Sequence, residues 1–284
     1  MTMRQRPAWL VAGPLTLAMV AVVIVPCLAL LVQSLLPPEG TPGTVSLANY
    51  QTVLESRVTQ QAIVRTFRIS IVITLIAILA GYPLAFFIAR QRSAWRGLLL
   101  AILIFPFLLS AVVRAYGWDM IIGDRGVLNN LLIASGTLST PIRLIKTETA
   151  IVIGETHLLL PYMVLSLLAV IDRIDPNLSA AAQSLGARPH EVFFHVMLPM
   201  TLPGLITGTL LVFALAMTAF ATPFMLGGPT VPVLTTLLYR YAFTVFDWSR
   251  ASTIAVLLLV LGTAVMLVHR WLSHKTLKRQ GLIT

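Results

Sequence analysis

The chain has 284 residues, 57% of them hydrophobic and only 11% charged, against about 25% charged in a soluble globular domain. Its formal net charge of +10 comes from 20 Lys and Arg set against 10 Asp and Glu, and its mean hydropathy is +0.90. That apolar excess excludes disordered, fibrous and nucleic-acid-binding classes, and the lone Cys27 leaves neither an intrachain disulfide nor a cysteine metal site.

Charge-free runs define the elements in chain order. A helix crossing about 30 Å of hydrocarbon needs about 20 apolar residues. No charge lies between Arg6 and Glu39, which predicts a first span over 9–36. That run is read as uncleaved, because it is too long for a signal-peptide core and lacks a small-x-small site before Gln33. Arg68 and Arg90 bracket a second span at 69–89, and a third follows Arg96 at 97–116. The fourth, 149–171, contains a single charge, Glu155. Pro223, Gly227, Gly228, Pro229 and Pro232 interrupt the next apolar stretch, so the fifth span is predicted at 201–221 and the sixth at 251–270. Residues 1–8 and 271–284 remain as an N-terminal segment and a C-terminal tail.

Runs of this kind satisfy their backbone polar groups in lipid as helices, and they lack the alternation of a barrel strand. The fold class is therefore an all-α membrane protein with six transmembrane helices. Pro14, Pro26, Pro83 and Pro106 predict local kinks within it. Six spans put both termini on one side. Arg90, Arg92 and Arg96 fill the shortest loop, and Arg270, Lys275, Lys278 and Arg279 follow the last span. The positive-inside rule places these clusters, and both termini, in the cytoplasm.

The loop at 173–199 stands apart. Asp175-Pro176 reads as a helix start, 180–185 has high helix propensity, and Gly186 is positioned to end that helix in a left-handed conformation. A second short helix can begin at Pro189, with Leu198-Pro199 as the turn into the fifth span. A helix, a glycine turn and another helix outside the bilayer make a compact shape that fits a groove on a partner.

In this loop the sequence resembles the membrane permeases of ATP-binding-cassette importers that work with a substrate-binding protein. Their signature is Glu-Ala-Ala-x-x-x-Gly, then nine intervening residues, then Ile-x-Leu-Pro. Ala181, Ala182, Gly186 and Leu198-Pro199 match it, Val196 stands for the isoleucine, and Ala180 replaces the glutamate. The glutamate's polar contact is not carried over, whereas the glycine turn and the spacing are. Gly81-Tyr82-Pro83-Leu84-Ala85, Arg114-Ala115-Tyr116-Gly117-Trp118, Gly126-Val127-Leu128-Asn129 and Thr222-Pro223-Phe224-Met225-Leu226-Gly227-Gly228 are similar to the spermidine/putrescine-type branch. They are also similar to permeases for iron, phosphonates and other small solutes.

The resemblance implies a type I importer permease-like fold whose cytoplasmic coupling helix docks on an ATPase dimer. It also implies a second homologous permease, an extracytoplasmic solute-binding protein and a bacterial inner-membrane location. Ala181, Ala182, Ser184, Leu185, Gly186, Arg188 and Pro189 become the ATPase-coupling residues. The chain carries no Gly-x-x-x-x-Gly-Lys-Ser/Thr sequence. ATP and Mg²⁺ therefore belong to the partner ATPase, and this chain is expected to bind no cofactor and to be no enzyme.

Arg114, Tyr116, Trp118, Asp119, Glu155 and Phe220 are the substrate-pathway candidates. Charges within spans are costly and point to function, yet Glu155 also lies in the first turns of its helix, where water and the helix dipole accommodate it. Both readings stand at this point. Asp119 and Glu155 beside Tyr116 or Trp118 suit an ammonium. Arg114, Arg65 and Arg68 suit an anionic solute, such as a phosphonate or organic acid, equally well. The histidines show no metal-ligand spacing. A membrane enzyme would need paired intramembrane catalytic groups, and a stand-alone carrier several ionisable residues or inverted repeats; neither pattern occurs in these spans.

Overall fold

The computed structural model describes residues 8–36, 46–175 and 177–279. Arg4, Arg6, Pro176 and residues 280–284 lie outside the described residues, as do the side chains of Lys275, Lys278 and Arg279. The chain forms two compact units, one of residues 1–60 with 237–260 and the other of 61–236 with 261–284.

In the first unit, α1 (Ala8–Leu35) is apolar around its whole circumference, as a lipid-facing helix must be. The short α2 (Ala48–Glu55) is tied to it by Asn49, whose amide donates to the carbonyls of Ser34 at 3.2 Å and Leu36 at 2.6 Å. These bonds satisfy carbonyls that the C-terminus of α1 leaves open. The start of α12 (Trp248–Arg279) also lies here, with Arg250 paired to Asp247 at 3.1 Å.

The second unit carries the functional elements. It holds most of α3 (Arg57–Ala89), then α4 (Ser93–Leu108), α5 (Ala111–Ile122) and α6 (Val127–Ala134). These are followed by α7 (Glu148–Ile171), the short α8 (Asn177–Ser184) and α9 (Pro189–Val192), and α10 (Leu198–Thr218). The chain then passes through a π-helical turn (Pro223–Gly227) to α11 (Leu234–Arg240). Ile73, Ile151, Met163, Leu167 and Val212 form the fully buried centre. Helices α7 and α10 approach closely because Gly204 and Gly208 have no side chain. A Cβ on Gly208 would fall 2.7 Å from Met163 Sδ, and one on Gly204 2.7 Å from the Ser166 carbonyl oxygen. Small residues at such crossings are how helices pack where lipid offers no hydrophobic drive.

Five helices among the described residues are long and apolar enough to cross a membrane. A sixth is possible if α4 and the segment Ala111–Ala134, bent by 104° from it, count as one. Several predicted bounds are corrected. The second span was expected at 69–89, but α3 starts at Arg57, because Arg65 and Arg68 are satisfied by an acid elsewhere in the fold and do not stop the helix. The third, expected at 97–116, breaks at Leu109 and Ser110, which are extended. Pro106 weakens the end of α4, and Ser110 caps α5 by accepting from the Val113 amide at 3.2 Å.

The fifth span was expected at 201–221 after a turn at Leu198-Pro199. Instead one run continues from Pro189 through a π-helical turn (Phe193–Met197) to Thr218. Pro199 sits in the first turn of α10, where its missing N–H is tolerated. Helix α12 begins at Trp248 and extends well beyond the predicted 251–270.

Candidate functional site

One end of the second unit is the loop after α7. Asp175 Oδ1 accepts from the Asn177 amide at 2.9 Å and starts α8. The helix ends in two crossed bonds, Ala187 N to the Ala182 carbonyl at 3.1 Å and Gly186 N to the Gln183 carbonyl at 2.9 Å, with Gly186 at φ +89°. This is a Schellman closure, and its left-handed residue favours glycine. The Glu191 carboxylate accepts from the Arg188 amide at 2.7 Å and holds the start of α9. Helix α8 buries no residue, and Leu185 at its end is 90% exposed.

Of the residues assigned to coupling, Ala181, Ser184, Leu185, Gly186, Arg188 and Pro189 are exposed along this loop, and Ala182 is half-buried. Ser184 donates to the Ala180 carbonyl at 3.0 Å. The loop reaches the bundle through α9 and the π-helical turn. There Phe193 meets the Tyr82 ring edge-on at 5.3 Å, and the Tyr82 hydroxyl lies 2.6 Å from Thr201 Oγ1. A cleft of about 570 Å³ opens beside them, lined among others by Tyr82, Phe86, Arg90, Gln183 and Met197. Sequence reasoning found the Gly81-Tyr82-Pro83 motif but gave Tyr82 no role.

The opposite end is held by long-range bonds. Glu148, at the first turn of α7, accepts from Arg65 Nε at 3.0 Å and from Arg68 Nη2 at 2.6 Å, while Arg65 Nη1 reaches the Pro232 carbonyl at 2.9 Å. Asn129 is buried and clamps the following loop: its amide donates to the Gly123 carbonyl at 2.9 Å and the Ile142 carbonyl at 3.0 Å, and its oxygen accepts from the Ile142 amide at 2.8 Å. Gly154 lets α7 close on the π-helical turn, since a Cβ there would lie 2.6 Å from Leu226 Cδ1 and 2.9 Å from Thr222 Cγ2.

Glu155 is 4% exposed, packed among Thr66, Ile151, Met217 and Pro223 where α10 breaks. Thr222 and Arg114 both favour its charged form electrostatically, yet Oε2 has no hydrogen-bond partner. A buried carboxylate oxygen without a protein partner is unusual in a folded chain. Arg114 itself donates to the carbonyls of Pro106 at 3.2 Å and Leu109 at 3.4 Å, closing the broken end of α4. Trp118 stands edge-on to His157 at 5.5 Å and near Gly154.

The predicted pathway set is thus divided. Glu155, Arg114 and Trp118 border one region. Tyr116 is 62% exposed on the surface of α5, Asp119 is exposed with its carbonyl accepting from Gly123, and Phe220 stacks on Phe224 at 5.2 Å. Thr222 was read only as part of a motif, because nothing local announces that it will meet a carboxylate 67 positions earlier. No cluster of three His, Cys, Asp or Glu able to hold a metal occurs among the described residues.

Comparison with known proteins gives one family and a consistent set of relatives. Residues 73–278 match the model described as binding-protein-dependent transport system inner membrane component. The chain is 35% identical over 261 residues to the spermidine/putrescine transport system permease protein PotB of Haemophilus influenzae, covering 91% of each chain. It is 32% identical to the Escherichia coli protein of the same name, over 83% of this chain and 85% of the other. The molybdenum transport system permease protein ModB of Mycobacterium tuberculosis is 28% identical over 86% of this chain and 91% of its own. Among solved structures, a bacterial ABC transporter involved in import of the acidic polysaccharide alginate superposes with a TM-score of 0.79. The match covers 94% of this chain and 96% of that one, at 20% identity, a likeness of fold.

Proposed function

The chain belongs to the family of binding-protein-dependent transport system inner membrane components, and from that premise we propose that it imports a small polyamine-type cation. It is a permease subunit of an ABC importer, a multi-pass inner-membrane transport component and not an enzyme. The solute assignment rests on one observation, the two spermidine/putrescine permeases that resemble this chain at 35% and 32% identity over most of its length.

The chemistry supports that reading. Arg65 and Arg68 converge on Glu148, and Arg114 is engaged by two carbonyls, so the arginines that suited an anion are already partnered. Glu155 keeps an open oxygen, and Trp118 lies against the neighbouring Gly154. A carboxylate and an aromatic face together hold an ammonium through charge and cation–π attraction. The break after Thr218 gives the segment beside Glu155 a point of movement, and interrupted helices are where transporters commonly bind their solutes.

The loop at 173–199 and both termini face the cytoplasm in this proposal. Ala181, Ala182, Ser184, Leu185, Gly186, Arg188 and Pro189 dock on an ATPase dimer, which supplies ATP and Mg²⁺ chemistry. Closure of that dimer rocks this chain against a second homologous permease. An extracytoplasmic binding protein delivers the solute. A cysteine placed at Ser184, with Cys27 replaced, resists a membrane-impermeant thiol reagent in intact cells; ready labelling from outside reverses the orientation.

The solute is tested by uptake of labelled putrescine and spermidine in a strain lacking other routes. Uptake that falls when Glu155→Gln is introduced is the expected result. Capture of an anionic solute, such as a phosphonate or organic acid, by the cognate binding protein, with no polyamine uptake, overturns the assignment.

A further inference from the structure

Tyr82 lies towards the end of α3, its ring stacked on Phe86 at 5.2 Å and edge-on to Phe193 at 5.3 Å. Its hydroxyl is 2.6 Å from that of Thr201, and both residues are buried. Thr201 has one hydroxyl hydrogen. That hydrogen points back to the carbonyls of Met197 at 2.9 Å and Leu198 at 3.1 Å, so Tyr82 is the donor to Thr201. The result is a directed chain, from Tyr82 O–H to Thr201 and from Thr201 O–H to Met197.

Met197 closes the π-helical turn Phe193–Met197 that joins the exposed loop to α10. Such turns hold one residue more per bond than an α-helix and recur at functional sites. Helix α8 buries nothing of its own; besides its covalent link to α7, it meets the bundle through α9 and this turn. The cleft of about 570 Å³ beside Tyr82 has Gln183 of α8 on its wall and leaves that helix room to swing.

We propose that Tyr82 is a positioning residue that transmits movement of the loop to the second span, by holding the π-helical turn through Thr201. The inference rests on the docking role given to the loop. When the loop is displaced, the Thr201 bond makes the end of α3 follow. Without the bond the turn yields locally and the movement stops there. The aromatic contacts of Tyr82 alone do not do this, because rings slide past one another at small cost, whereas a 2.6 Å hydroxyl pair fixes distance and direction.

The test uses the full importer in proteoliposomes, with its ATPase, second permease and binding protein, and reads solute imported per ATP hydrolysed alongside the thermal midpoint. Tyr82→Phe keeps the ring and removes the donor; Thr201→Val keeps the shape and removes the acceptor. Each is expected to lower import per ATP about fivefold, the factor an ordinary buried hydrogen bond supplies, while hydrolysis continues. Thr201→Ser keeps the ratio, and the double variant is no worse than either single one, as members of one chain behave. An unchanged ratio with a lowered midpoint makes Tyr82 a packing residue and overturns the proposal. The docking premise fails separately: if a cysteine at position 184 does not cross-link to the ATPase, the proposal falls with it, whatever the ratio.

Discussion

Gly186 and Gly154 show how differently the two ends of the second unit are held. At Gly186 the backbone is left-handed, at φ +89°, and an added Cβ would meet nothing within 4 Å. At Gly154 the backbone is ordinary helix, and an added Cβ would collide with Leu226 and Thr222. The first glycine is required by its own conformation, the second by its neighbours. The same contrast runs through the rest. The bonds given for the loop at 173–199 join residues two to five positions apart, whereas at the opposite end the Asn129 bonds span up to 13 positions and those of Arg65 and Arg68 span 80 or more. The loop is stabilised locally and left open, whereas the opposite end, which holds its own polar groups, is closed by its own chain.

Removing the tertiary clamp should have the largest effect. Asn129→Ala removes three hydrogen bonds and leaves the Ile142 amide unpaired, while the Gly123 and Ile142 carbonyls keep the Gly126 and Leu144 amides. It is expected to cost about 3 kcal/mol, read as a lowered thermal midpoint of the purified complex. Loss of transport with an unchanged midpoint would show that the clamp is not structural. Gly154→Ala follows at about 2 kcal/mol, the usual scale of overpacking. Here too the midpoint should fall, and a midpoint equal to the parent's would show that Leu226 and Thr222 give way.

Gly186→Val should do the reverse. Left-handed strain of about 1–2 kcal/mol makes the native turn roughly tenfold rarer, so import should drop by that order while membrane insertion and midpoint stay as they were. Normal import by this variant removes the main distinction between the two ends. The smallest effect is expected from Glu148→Gln, about 1 kcal/mol because the cluster is partly exposed to solvent. Added salt should weaken the parent towards the variant, and equal salt dependence of the two would mean that the arginines are held by something other than charge.

Much of the fold was legible because its determinants are local or compositional. Apolar runs bounded by charge marked the helical spans, and Asp175, the alanines and Gly186 spelled out a short capped helix with its turn. The misreadings share one cause. Arg68 marks a span boundary in the sequence, but a charge stops a helix only if nothing neutralises it, and the Glu148 that pairs with Arg65 and Arg68 lies 80 and more positions away. The third span, predicted as one run over 97–116, is broken before α5, and Arg114 inside α5 closes the broken end of α4. Leu198-Pro199 was read as a turn, although a π-helical turn ahead of it accommodates the proline in a continuous run.

The sequence by itself determined that the chain is a helical membrane protein, where its apolar segments lie, and that the loop after the fourth span carries a helix closed by a left-handed glycine. Those properties depend on hydrophobicity and on backbone preference, which act over a few residues. Only the tertiary structure decided which arginines share Glu148, that Glu155 keeps an open oxygen beside Thr222, and that Tyr82 reaches Thr201 across 119 positions. Those pairings follow from how helices of different hydrophobicity and glycine content pack against one another. Their energies belong to contacts between segments, and no single segment contains them.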